Sequence, residues 1–291
     1  RGYELEITAT PVLTRDFRWN TTLTWSKNDN KILSLAEGAD ENQVISTVGT
    51  ASIIGRVGGT TGDLWGYKLV RDPEGNVIIG DNGLPEQADE IEYVGTAYAD
   101  WKAGWYNEFS YKGFKLGILL DGQVGGTIYS MSFHKMMEQG KLTQSLNGRL
   151  PGTEYYMDAN DPRIAAAGYT PQSGMYMIAP GVVRNDDGTF SPNTKVVTIE
   201  SFYKEYYRRA NVETNSFDAS FLKIREIRLE YELPKKVLEK SPFSKASIAV
   251  YGRNLWCFTD YPLFDPESVA LDGSSMVSGI ETGSLPTTRT F

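Results

Sequence analysis

At 291 residues the chain holds one large β domain or two ordinary ones, and its 37 acidic against 29 basic residues leave a net charge of −8. That balance excludes nucleic acid as a partner class, because phosphate binding requires a basic surface. No apolar run reaches the ~20 residues of a membrane-spanning helix, and the lone Cys257 excludes an internal disulfide. Residues 3 to 10 alternate, Tyr3, Leu5, Ile7 and Ala9 against Glu4, Glu6, Thr8 and Thr10, which is the period of a strand with two unlike faces. Pro11 to Asp16 has the composition of a turn. Residues 17 to 27 alternate again, Phe17, Trp19, Leu23 and Trp25 against Arg18, Asn20, Thr22, Thr24 and Ser26. Aromatics at both ends of that apolar stripe match the two interfacial girdles of an outer-membrane strand.

Asn28 to Gly104 is irregular. Short β-like pieces are predicted at Lys31–Leu35, Ala51–Val57, Leu64–Val70 and Val77–Ile79. All are shorter than the ~9–11 residues a spanning strand needs, so they read as hairpins inside one long loop. Residues 105–111 and 114–123 form a hairpin about Lys112-Gly113, its second strand placing Phe114, Leu116, Ile118 and Leu120 against Lys115, Gly117, Asp121 and Gln123. A second long region, Val124 to Ser216, has helical spacing over Ile128–Gln139 and over Thr198–Arg209. In the latter, Thr198 is the cap, and Ile199, Phe202, Tyr203 and Tyr206 share a face. From Ile227 the chain alternates strictly until Pro234 ends the strand. The basic stretch Lys235–Lys240 leads to another alternating run, Ala246–Phe258. Tyr261–Pro286 is a third polar loop, and Thr287 begins a further strand. Both ends read as interrupted strands, so the chain is expected to be a segment of a longer protein.

Long and short connections therefore alternate three times, as in outer-membrane barrels with short periplasmic turns and long outer loops. The expected fold is all-β: an antiparallel up-and-down transmembrane β-barrel segment of about seven strands, with long extracellular loops containing short hairpins and helices. Leu5, Ile7, Trp19, Leu23, Leu116, Ile118, Leu229 and Ile248 are predicted to face lipid, and Glu6, Asn20, Thr22, Asp121, Glu230 and Arg253 the lumen. Lys223 and Arg225 share parity with Ile227 and Leu229. The expectation is that this end of the strand stands above the bilayer; a bulge resetting the phase is the alternative.

Chemistry-bearing residues are few. His134 is the only histidine and has no second ligand near it. No nucleophile elbow is present. Asp72-Pro73-Glu74-Gly75-Asn76 and Asp158-Ala159-Asn160-Asp161 match no calcium loop and suit turns. Gly122 to Gly126 lacks the lysine of a phosphate loop. No enzymatic activity, metal or cofactor is expected. The loop aromatics, by contrast, offer flat faces to sugar rings or a protein partner. The candidate contacts are Trp65, Tyr98, Asp100, Trp101, Tyr155, Tyr156, Tyr203 and Tyr207, with Tyr98–Trp101 and the helix Thr198–Arg209 first among them. Ordinary packing of the loops over the rim is the competing reading.

Three stretches, DASFLKIREIRLEYELPK (residues 218–235), YGRNL (251–255) and YPLFDPE (261–267), resemble in order and spacing the C-terminal signature of the SusC/RagA family of TonB-dependent transporters. The stretches at 63–85 and 94–114 also look like that family, with Tyr98-Ala99-Asp100-Trp101 where it commonly has Asn-Pro-Asp-Trp. The resemblance implies that residues 1–291 are the C-terminal portion of the barrel, with plug domain and N-terminal strands outside this chain. It further implies a Gram-negative outer membrane, with its lipid as surroundings, and import of an oligosaccharide or peptide. A SusD-like lipoprotein would cover the extracellular side, and TonB would act through the plug. From the residues alone, a soluble secreted all-β carbohydrate-binding module is the alternative, and the character of the outward sheet face discriminates the two.

Overall fold

The computed structural model describes all residues except Lys240, Phe264, Val269, Gly273 and Ser274, with backbone only for Leu271, Asp272, Ser275 and Met276. Lys240 of the basic stretch and Phe264 of the third motif thus lie outside the described residues. Six long strands form one antiparallel sheet in chain order: Gly2–Leu13, Phe17–Asn28, Trp101–Tyr111, Phe114–Val124, Phe221–Glu232 and Ser247–Phe258. The first and sixth are its edges. The expected seventh strand is represented by a bridge between Thr290 and Arg253. The hairpin at Lys112 and Gly113 turns on positive φ at both residues, 44° and 89°, the geometry whose twist matches the flanking strands. Pro11, expected in the first turn, sits inside the first strand at a bulge between Ala9 and Val12 on the sheet edge, where its missing N–H is tolerated.

Register carries the alternation through the whole sheet. One row reads Ile7, Leu23, Trp105, Leu120, Ile224 and Trp256; another reads Val12, Trp19, Phe109, Leu116, Leu229 and Val250. The opposite face carries Glu6, Thr24, Gly104, Asp121, Lys223 and Cys257 in one row. The eight residues predicted to face outward share the first face, and the six predicted to face the lumen share the second. Between the aromatic ends of the apolar face runs a row without rings: Ala9, Thr21, Asn107, Ile118, Ile227 and Gly252.

The fifth strand corrects one expectation. Its register slips between Ile224 and Glu226 against both neighbours, so Arg225 is an extra residue and the alternation changes phase there. Ile224 rejoins the apolar row with Leu120, and Lys223 falls opposite Asp121 on the polar face. The cations are therefore kept from the apolar face by a bulge, not by the height of the strand end that the parity argument preferred.

Apart from Phe221 and Leu238, the buried apolar side chains of the described residues gather in the three long insertions at one end of the sheet. The first insertion builds a four-stranded sheet from Gln43–Val48, Ala51–Gly55, Asp63–Gly66 and Glu92–Thr96. The predicted piece at 31–35 is not a strand, and the outermost two strands of this sheet were not foreseen. The second insertion opens with a strand, Thr127–Ser130, which pairs antiparallel with Ser216–Asp218 and parallel with Ile280–Glu281. The predicted helix there consequently starts only at Met131, and runs Met131–Glu138. The other predicted helix runs Ile199–Tyr206, and its Thr198 Oγ1 accepts from the Ser201 N–H as expected of the cap. One apolar cluster joins Ala51, Ile53 and Leu64 of the first insertion to Tyr129 and Val212 of the second and Ile280 of the third. Another gathers Met137, Met177, Ile199, Phe202 and Tyr203 around Ile79.

Candidate functional site

The three sequence motifs meet in space at the bulge. Lys223, only 2 % exposed, points from the polar face and donates to Asp265 Oδ1 at 2.6 Å and to Glu267. Arg225, displaced by the bulge, donates through Nε to Asp121 Oδ2 at 2.7 Å and through Nη2 to Glu267 Oε1 at 2.6 Å. Both cations lie by the Phe221 ring, 4.8 and 5.6 Å from its centre. Thr287 Oγ1 donates to the second Asp265 oxygen at 2.5 Å. Burial alone would raise the Asp265 carboxyl, but the Lys223 ammonium and the Thr287 hydroxyl hold it below its ordinary value. Glu267 likewise, despite burial, is held low by Arg225 and Lys223. The YGRNL motif faces this bulge on the sixth strand. Asn254 takes φ of 51° and its amide donates to Thr288 O at 3.0 Å, while Arg253 pairs with Glu226 at 2.7 Å and exchanges backbone bonds with Thr290. A motif read as strand chemistry is thus an anchor that ties the third insertion to the sheet wall. Sequence reasoning missed it because Asp265 and Glu267 lie 42 and 44 positions from Lys223.

The predicted contact residues fall into two groups. Tyr98 and Asp100 are exposed where the first insertion enters the third strand. The Tyr98 hydroxyl bonds Thr61 Oγ1 at 2.7 Å, and Asp100 N–H donates to Val124 O at 2.8 Å, so backbone pairing fixes the Asp100 carboxylate at the rim. Trp101 is 37 % exposed and shares parity with Trp105 on the apolar face. Trp65 is half-buried, with Arg56 4.9 Å from its ring centre and Tyr93 edge-on at 6.0 Å. The second group is packing. Tyr203 is 4 % exposed, and its hydroxyl donates to Gln144 O and Asn147 O, each at 3.1 Å. Tyr207 caps that helix, half-buried and stacked on Tyr203 at 5.9 Å, and burial pushes its phenol up. Tyr155 packs against the same cluster, and Tyr156 is half-buried beside it in sequence. Tyr203 lies within that cluster, and Tyr206 and Tyr207 pack against it, so none of the three tyrosines stands clear of the packed face.

His134 is 1 % exposed, its Nδ1 2.6 Å from Tyr207 O and its Nε2 3.7 Å from Glu138, and burial depresses its basicity. Asp72 spends its carboxylate on the Glu74 and Asn76 N–H groups and the Asn76 amide, which is a turn. Among the described residues no three His, Cys, Asp or Glu side chains are grouped to hold a metal ion.

No family model matches the chain. It is 25 % identical over 319 residues to TonB-dependent receptor P3 of Formosa agariphila, covering 100 % of this chain and 28 % of that protein. To receptor P26 of the same organism it is 23 % identical, again over 100 % of this chain and 28 % of the relative. The chain thus spans about a quarter of the length of these relatives, which are receptors and not enzymes. Among solved structures, the RagAB peptide importer in its closed-closed state superposes with a TM-score of 0.59 at 15 % identity, covering 99 % of this chain and 28 % of that one. The RagAB peptide transporter gives 0.57 at 15 % identity over 99 % of this chain and 28 % of that one. Three motifs meeting at one bulge, a sheet with one apolar and one polar face, and matches over the whole of this chain lead to one resemblance: the chain is similar to a segment of outer-membrane TonB-dependent receptors and shares its fold with part of the RagAB transporter.

Proposed function

We propose that residues 1–291 form the C-terminal part of a transmembrane barrel that imports an oligomeric nutrient, a glycan or a peptide, with energy from TonB and a SusD-like lipoprotein over the outer mouth. The observation that carries this reading is the two-faced meander whose three long connections all leave the same end. Such a sheet can stand with its apolar face in lipid, its polar face on a lumen and its insertions outside. The soluble module is disfavoured by the relatives and by the ring-free row between aromatic ends. Tyr98 and Asp100, at the rim, are the first choices for contact with substrate or lid, because a ring and a carboxylate together stack on a sugar or side chain and accept its hydrogen bonds. Trp101 and Trp65 stand next to them in that proposal. Tyr155, Tyr156, Tyr203 and Tyr207 would shape the insertions from within.

Uptake of labelled oligosaccharides and peptides by cells carrying the full-length transporter tests this. Uptake is expected to stop when either the transporter or TonB is removed, and to fall with lid affinity in Tyr98→Ala and Asp100→Ala. Uptake that persists without TonB would overturn the import reading. Unchanged uptake and lid affinity in both variants would remove the rim residues from it.

A further inference from the structure

Between the helices Met131–Glu138 and Ile199–Tyr206 lies a cavity of about 600 Å³; the helix expected to make contacts supplies one wall, but none of the eight candidate contact side chains lines it. Its charged groups are Lys135, Glu138, Arg149, Glu200 and Lys204, and Met175 and Ile199 supply apolar wall. Four of the five charges are satisfied within their own helices. Lys135 Nζ lies 3.1 Å from Glu138, and Lys204 Nζ lies 2.5 Å from Glu200. Arg149 is the fifth, and no carboxylate of the described residues stands within ion-pair distance of it.

What holds Arg149 is geometry. Its guanidinium lies 6.0 Å from the centre of the Tyr203 ring, which is itself fixed by two hydroxyl bonds to backbone. On the other side it lies against Gly140, where a Cβ would stand 3.0 Å from both terminal nitrogens. The φ of 68° at that glycine belongs to the same fit. A planar fork of donors is thus positioned at a cavity wall with no acceptor supplied by these residues. Its best complement is a carboxylate, which it grips with two parallel bonds. Glu138 and Glu200 on the rim repel a polyanion, so the fit is to a single carboxylate on a stem that the Met175 and Ile199 side chains can cover.

We propose that this cavity is a subsite for the carboxylate of an imported oligomer, with Arg149 as the specificity-determining residue. The proposal rests on the import reading, since it gives the insertions the task of meeting substrate. The carboxylate could be a peptide C-terminus or a uronic acid, and the probes separate the two. Binding to the full-length transporter in detergent would be measured for short peptides with a free C-terminus against their C-terminal amides, and for a short oligosaccharide carrying one terminal uronic acid against its neutral counterpart. For one pair, the carboxylate form is expected to bind about tenfold more tightly, the worth of a charge-assisted pair of bonds. That preference is expected to vanish in Arg149→Gln and to return only in part in Arg149→Lys, which keeps the charge and loses the fork. Unchanged binding of the neutral probe and unchanged heat-modified migration on gels certify that the variants fold. A wild type without preference, or a preference that survives in Arg149→Gln, overturns the subsite. TonB-dependent uptake of the neutral probes by the same cells would still stand in that case, whereas its absence counts against the import reading itself.

Discussion

Lys223 shows what a single side chain is asked to do here. A lysine so buried is tolerable only with partners, and it has two carboxylates, each held ionised by the pairing. Removing the ammonium leaves those carboxylates facing each other in a poorly solvated site. Lys223→Met is therefore expected to cost about 3–5 kcal/mol, the range for breaking a buried pair, measured by urea unfolding of the full-length protein in detergent. The pH dependence follows from the direction of the shifts. Asp265 and Glu267 have folded values below their ordinary ones, so the stability they contribute is complete above the ordinary carboxylate range and is lost as pH falls through the depressed values. Proteolysis within residues 259–287 should accordingly begin on acidification in the wild type, and in Lys223→Met should already be fast at neutral pH. Equal resistance of the two proteins at neutral pH would remove the anchor role.

At the scale of elements, the fifth strand is the informative one. Its alternation from Ile227 onward was legible, and so were the hairpin at Lys112-Gly113, the cap at Thr198 and the faces of the first, second, fourth and sixth long strands, because period two and turn chemistry are local properties. The bulge at Arg225 was not legible as a certainty. A phase slip leaves apolar residues at both parities, Ile224 and Ile227, and the sequence admits two physical escapes for the same cations. The short strands of the insertions were legible only where they carry β-branched runs, as at Ala51–Gly55. Thr127–Ser130 reads as the start of a helix, and only partners 87 and 151 positions away, Ser216 and Ile280, hold it extended. The candidate cavity escaped altogether, since Arg149 lies in a stretch of turns whose neighbours across the cavity come from distant helices. Deleting Arg225 tests the strand argument directly. With the extra residue removed, alternation runs unbroken, Lys223 stays on the polar face opposite Asp121, and Ile224 and Ile227 stay on the apolar one. Assembled, heat-modifiable protein is therefore expected in outer-membrane fractions, and its loss would contradict the phase assignment.

For the whole molecule, the division of labour is between a sheet that buries little on either face and an insertion layer that holds the apolar core. Trp19, Trp25, Trp105 and Trp256 all belong to the apolar face, whereas Trp65 belongs to the layer. In single-tryptophan versions of the full-length protein in bilayers, brominated lipid should quench the first four and spare Trp65; quenching of Trp65 alone would invert the orientation of the molecule. The layer also has a property that follows from one short pairing, the parallel bridge of Ile280 and Glu281 onto Tyr129 and Ser130. Glu281, 1 % exposed, clasps the hydroxyls of Ser130 and Ser132 at 2.6 and 2.7 Å, so the third insertion is stitched into the second. The first insertion shares the same apolar cluster. Insertions braced in this way are not interchangeable parts. A chimera that grafts one of them from a relative would inherit mismatched seams, whereas a graft of all three together would carry its own. Diversification of such a mouth should then proceed by co-inherited sets, with a change of length in one loop answered by compensating changes in the other two.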